Sequence, residues 1–245
     1  MPPNTANPDD DGVGTLHCSV MERHAGLVAF VLNATLLALL AVTAAVDLHL
    51  ADRLTREDAA VEWLQAALFA LAAVFALWTA RDRRRVGASA VFEVLVAAML
   101  GGLIIGEVDL DRLIVGRKII STRFLVDGGV WLGWRLLAAL TMALPPAALA
   151  LYAVRRRREL LVAIRCATVQ SSGRVFIAGA IVFALTELFE KPLGRIPGLP
   201  RYMLEETLEL VAAICFGVAL YAHWRLQRAE EKVRPGAEER CAPMR

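Results

Sequence analysis

The chain has 245 residues, 57% of them hydrophobic, with 27 basic against 25 acidic side chains and a net charge of +2. A soluble domain averages about 45–50% apolar residues, and here the excess sits in long runs, not in an alternating pattern. A charge this small, with no basic stripe carrying interleaved aromatics, excludes nucleic acid as the expected partner, and the runs point instead to the lipid bilayer. The sequence specifies no protein partner.

A membrane span needs about 20 mostly apolar residues, because the hydrocarbon core is about 30 Å thick and a helix rises 1.5 Å per residue. The first such run is Ala25 to Val46. The second, Trp63 to Ala80, is closed by Arg81-Asp82-Arg83-Arg84-Arg85. The third, Val86 to Gly106, is interrupted by Glu93. The fourth, Leu136 to Val154, contains Pro145-Pro146, where a kink is expected, and is closed by Arg155 to Arg158. The fifth, Val175 to Phe189, is weaker. The sixth, Met203 to Trp224, is followed by Arg225 and Arg228.

The predicted fold is therefore all-α, a polytopic bundle of about six transmembrane helices. Arginines follow spans two, four and six, so the positive-inside rule puts those ends, and both termini, in the cytoplasm. The amphipathic segment Glu159 to Val169 is expected to lie along the inner interface. One membrane domain, 23–226, is bounded by a loose N-terminal tail, 1–22, and a mixed-charge C-terminal tail, 227–245. The expected location is a multi-pass place in the inner membrane, since the Ala/Arg/Leu-rich composition is common in high-GC bacteria. Cys18, Cys166, Cys215 and Cys241 show no CxxC spacing, and in this topology none reaches an oxidising compartment. The five tryptophans fit interfacial belts.

Depth measured from the arginine anchors gathers the carboxylates at the opposite, outer ends. Glu62 stands about 28 Å above Arg81, Glu187 about 20 Å above Arg174 and Glu209 about 24 Å above Arg225. Glu190, Glu205 and Glu206 are one turn higher, and Glu107 and Asp109 cap the third span. Glu187 and Glu190 share a helix face, as do Glu205, Glu206 and Glu209. Like charges stacked in this way repel unless a cation, a basic side chain or a shared proton offsets them. Two readings are open: anchors at the water boundary, or a polar pocket facing outward. Glu93 stands apart, about 12 Å above Arg85. It reads as a buried acid hydrogen-bonded to a neighbouring helix, with a proton-relay group as the alternative. His17, His24 and His223 read as structural. His49, near the acids, reads as a helix-end residue, with a metal ligand as the alternative.

Three segments carry a resemblance: Glu57-Asp58-Ala59-Ala60-Val61-Glu62-Trp63-Leu64-Gln65, Gly106-Glu107-Val108-Asp109-Leu110-Asp111-Arg112 with Lys118 and Arg123-Phe124 downstream, and Leu204-Glu205-Glu206-Thr207-Leu208-Glu209-Leu210. Together they resemble a loose group of uncharacterised bacterial multi-pass membrane proteins. The resemblance points at the same acidic positions and implies no reaction.

Several chemistries are excluded. There is no GxSxG elbow, no HExxH pair, and no Glu-x-x-His pair of the di-iron type, since Glu187 and Glu206 have Glu190 and Glu209 three residues on. The sequence reading is an outward-facing carboxylate-rich pocket serving an enzyme or binding protein for a lipid-linked or anionic substrate. Glu62, Glu187 and Glu209 would be the acid/base groups. Glu107, Asp109, Glu190, Glu205 and Glu206 would hold a divalent cation, for which clustered oxygens are suited. Arg112, Lys118 and Arg123 would bind the anionic group. The alternatives are a cation- or proton-coupled transporter, using Glu93, Asn33 and Thr43 as inner steps, and an accessory subunit of a membrane complex.

Overall fold

Away from water, an apolar segment must satisfy its backbone hydrogen bonds internally, which makes helices of the long runs. The computed structural model describes residues 10–47, 50, 60–108, 124, 131–190 and 201–233, with side chains at 24–47, 50, 60–106, 108, 124, 131–186 and 203–229. Among them are seven helices: α1 (Asp10–Val46), α2 (Ala60–Arg85), α3 (Val91–Glu107), α4 (Leu132–Arg155), α5 (Arg157–Val169), α6 (Ser171–Glu190) and α7 (Arg201–Val233). Among the described residues three stretches are long and apolar enough to cross a membrane, His24–Val46, Ala60–Arg85 and Leu132–Arg155. There are four if α5 and α6, which meet at 101°, make one broken span. The stretch Val91–Gly106 is apolar but shorter.

Helix bounds depart from the expected ones in an interpretable way. α1 begins at Asp10, inside the segment expected to be a tail, and α7 runs to Val233, beyond the boundary expected at 226. An apolar stretch that has nucleated a helix extends cheaply into flanking polar turns. α3 starts at Val91, not at Val86, because Gly87, at φ +70°, closes α2. Its N–H donates to the Arg84 carbonyl at 3.1 Å, and that of Ala88 to the Arg83 carbonyl at 2.9 Å. This left-handed ending favours glycine. α4 is continuous through Pro145-Pro146.

Side-chain pairs fix the directions. Gln65 meets Glu206, Phe69 meets Phe216, Trp78 meets Trp224 and Asp82 meets Arg228, so α2 and α7 run parallel. Val175 packs with Ala219 and Gly179 faces Ala212 and Cys215, which sets α6 antiparallel to α7 and hence to α2. α3 turns back beside α2, and α1 lies along α6 and α7, with Asn33 donating to Cys215 Sγ at 3.4 Å. The arginine-rich ends of α2 and α7 therefore sit together, and the start of α5 joins them through a Ser89–Glu159 contact.

The core lies where α2, α3, α6 and α7 meet. Phe69, Leu100 and Phe216 are fully buried, interleaved with Ala72, Ala76, Ala97, Ala212 and Ala213. Small residues let helix backbones approach, which matters in lipid because burial from hydrocarbon into protein brings no gain of the aqueous kind. At the arginine-rich end Phe75, Trp78, Tyr221 and Trp224 stack, with the Arg228 guanidinium 4.7 Å from the Trp224 ring centroid. α1 and α4 expose most of their apolar side chains, a surface suited to hydrocarbon.

Candidate functional site

The α2–α3 turn brings Arg83 and Glu93 face to face. Arg83 is in the last turn of α2, and its Nε donates to the Ser89 carbonyl at 2.6 Å. The same Nε stands 3.6 Å from Glu93 Oε1. Glu93 lies in the first turn of α3, where the unpaired N–H groups and the helix dipole favour a carboxylate. It is only 2% exposed. From α7, His223 Nε2 comes to 3.3 Å of the same Oε1. One buried carboxylate thus touches two helices and two basic side chains. This is the buried acid expected of Glu93. His223, expected to be structural, is its partner.

α5 forms the other wall. Glu159 accepts from Ser89 Oγ at 2.6 Å and from Arg156 Nη1 at 2.6 Å. The Ser89 hydroxyl first, and then Arg156, hold the Glu159 carboxyl below its usual range, and Glu159 raises the Arg156 guanidinium in turn. α5 is the most amphipathic of the seven helices and meets α6 at a sharp corner of 101°. Gly173 makes that corner possible, since a Cβ there would collide with the Ala167 carbonyl.

Between α3, α5, α6 and α7 lies a partly open cleft of about 500 Å³. Arg83, Glu93, Arg158, Glu159, Ser172 and His223 contribute its polar lining, and Phe92, Val162, Phe176 and Leu220 its apolar part. Ser172 is 1% exposed, and its hydroxyl has no hydrogen-bond partner among the described residues. An acid, an imidazole, guanidinium groups and an idle hydroxyl around one cavity can bind an anion and move a proton to or from it.

At the opposite end, Gln65 is fully buried and its Nε2 donates to the Glu206 carbonyl at 2.9 Å, holding α2 to α7. Glu62 is half-buried in the first turn of α2, and Glu205, Glu206 and Glu209 are half-buried on α7, each engaged in interactions. Glu187 and Glu190 belong to the last turn of α6 and Glu107 ends α3, but their side chains lie outside the described residues. Asp109, Arg112, Lys118 and Arg123 lie outside them altogether, as does His49. Among the described residues no three His, Cys, Asp or Glu side chains gather as a metal ion requires.

Comparison with protein-family models, curated proteins and solved structures finds no match to this chain.

From sequence, His223 has a structural place and Arg158 an anchoring one at a span end, and no role is singled out for Ser172. A usable signal was present, because Glu93 and His223 both lie within three turns of an arginine-rich span end.

Proposed function

We propose that the chain is a six-span protein of a bacterial inner membrane with cytoplasmic termini, and that its working site is the cleft at the arginine-rich end. There it binds a substrate carrying a phosphate or carboxylate, with Glu93 and His223 as its proton-exchanging pair. The observation that carries this reading is Glu93, buried beside His223 and Arg83 on the wall of a cavity. An ionisable side chain among membrane helices is costly, and such residues mark function more often than not. Arg158 and the Ser172 hydroxyl supply further donors facing the same cavity.

Thermal unfolding of the detergent-solubilised protein with glycerol 3-phosphate as the probe tests the proposal. The wild type should be stabilised with a saturating dose dependence, as ligand linkage requires. Arg158→Gln should lose the effect. No stabilisation of the wild type at millimolar probe would sink the reading.

The Gln65–Glu206 hydrogen bond supports a second reading. It draws the acidic starts of α2 and α7 side by side, as an outward pocket using Glu62 and Glu209 requires. Its acids would hold Mg²⁺, Ca²⁺ or Mn²⁺. Metal analysis of the purified protein, with thermal stability on adding each cation, checks it. No bound cation and no stabilisation would count against it.

A further inference from the structure

A second concavity, of about 390 Å³, adjoins the cleft. Its lining is wholly apolar and includes Ile164, Ile177, Ala180, Ile181 and Ala184. Phe92, Ala167, Gly173 and Phe176 line both spaces, so the two lie on either side of a shared wall. The groove follows α6 from Gly173 to Ala184, about 16 Å at 1.5 Å per residue. That is roughly half of the 30 Å hydrocarbon core, the depth of one leaflet. Ile181 is 57% exposed, so the groove opens sideways to the surroundings of the bundle.

The cleft at its base has a definite chemistry. Glu93 is matched by Arg83 and His223, and Glu159 by Arg156 and Ser89. Arg158 has no ion-pair partner among the described residues, and the buried Ser172 hydroxyl has no acceptor or donor there. The charge left to face a ligand is positive, and a hydroxyl stands ready beside it. A polar, cationic cleft beside an apolar groove about one leaflet long matches the two ends of an amphiphile.

We propose that the ligand of this cleft is a membrane lipid with an anionic head, its head group held by Arg158 and Ser172 and one hydrocarbon chain seated in the groove along α6. This deepens the reading of the cleft as an anion site and rests on it. The lipid enters from the leaflet between α3 and α6. α5, lying across the interface, forms the lip over which the head group passes. The groove contains only aliphatic and aromatic side chains, so it sets no requirement on chain chemistry beyond length and shape. Selection is left to the head.

The test uses the full chain reconstituted in phosphatidylcholine vesicles. Traces of two photoactivatable lipids are added, matched in chain and carrying the reactive group at mid-chain, one phosphatidic acid and one phosphatidylcholine. Phosphatidic acid should crosslink to residues 164–184 several-fold more than phosphatidylcholine, while the exposed faces of α1 and α4 show no such preference. Ala180→Trp, which fills the groove, should remove the enrichment. Ala184→Trp serves the same purpose should the first variant fold poorly, and the wild-type map stands without either. Arg158→Gln should abolish the preference for phosphatidic acid while leaving crosslinks in the groove. Even labelling of all apolar helix faces by both lipids overturns the proposal, because it describes a bulk lipid shell only. Stabilisation by glycerol 3-phosphate without groove crosslinking leaves the anion site standing and removes the chain site. Loss of both removes the reading of the cleft itself.

Discussion

His223 Nε2 on α7 stands 3.3 Å from Glu93 Oε1 on α3, joining two helices separated by 130 residues of sequence. Arg83 approaches the same oxygen at 3.6 Å from α2. Removing the acid leaves two basic groups facing each other in a cavity wall. Arg83 and His223 are partly exposed, so the cost is that of leaving buried polar groups without their partner, about 1–3 kcal/mol. Glu93→Ala should therefore be among the more damaging single changes in α3, with Glu93→Gln, which keeps shape and one hydrogen bond, milder. His223→Ala should cost less in the Glu93→Ala background than in the wild type. Equilibrium unfolding in mixed micelles measures all three. Additivity within about 0.3–0.5 kcal/mol would show that the side chains act independently.

Gln65 is the corresponding tie at the acidic end, and its removal should behave differently. Its Nε2 donates to the Glu206 carbonyl, but its buried Oε1 has no hydrogen-bond partner among the described residues. Interhelical hydrogen bonds in membranes average about 0.6 kcal/mol. Gln65→Leu loses that bond and also removes an idle buried oxygen, so the net cost should stay below about 1 kcal/mol. A loss of several kcal/mol in the same unfolding assay would mean that the oxygen is used, and would strengthen the case for a ligand at this acidic end.

The Ser89–Glu159–Arg156 contact should make the attachment of α5 sensitive to acid. Glu159 is held below its usual range by the Ser89 hydroxyl and then by Arg156. A carboxyl depressed in the folded state binds its proton more readily once released. The contact thus contributes fully above the unbound value and is lost as pH falls through the lower, folded one. Hydrogen exchange across residues 157–169, corrected for the intrinsic rate, should accelerate only as the pH falls below the ordinary carboxylate range, while α2 and α7 stay protected. Glu159→Gln should exchange fast at neutral pH and show little further change on acidification. Equal acid acceleration in the variant would assign the effect to another group.

Much of this architecture was legible because the membrane imposes simple rules. Uncharged runs such as Ala25 to Val46 have to be helices, and Arg81 to Arg85 has to end one. The Glu159 to Val169 segment announced itself by its two faces, and α5 covers it. Glu93 was legible as a buried acid, since a carboxylate inside an apolar run needs a partner. Its partner was not, because depth along a helix gives height in the bundle but no rotation about the axis. The choice of His223 depends on which face of α7 packs toward α3. That is set by alanines such as Ala212 and Ala213, whose exact spacing matters more than their hydropathy. The same limit applied to the cleft. It exists because the chain turns at Gln170 between α5 and α6, where Gly173 admits the Ala167 carbonyl, and a glycine beside two serines and an arginine reads as an ordinary break. At the other end, the Gln65–Glu206 hydrogen bond brings the starts of α2 and α7 together, a rotational match that depth along each helix does not encode.

Gly173 offers the sharpest test of how the cleft is built. A methyl group there would run into the Ala167 carbonyl, and a backbone atom cannot step aside as a flexible side chain does. Gly173→Ala should therefore push α5 away from α6 and cost about 1–3 kcal/mol, the range for overpacking. Gly101 in α3 is the control, because a Cβ there meets nothing within 4 Å. Gly101→Ala gains helix propensity and should be neutral or stabilising by up to about 1 kcal/mol. The two variants make the same chemical change and should move unfolding in opposite directions. In Gly173→Ala the displaced α5 should also loosen the Ser89–Glu159 contact, so exchange over residues 157–169 should rise at neutral pH. A Gly173→Ala protein as stable as the Gly101→Ala control, with α5 equally protected, would show that the corner relaxes without cost and that its close approach does not hold the cleft in shape.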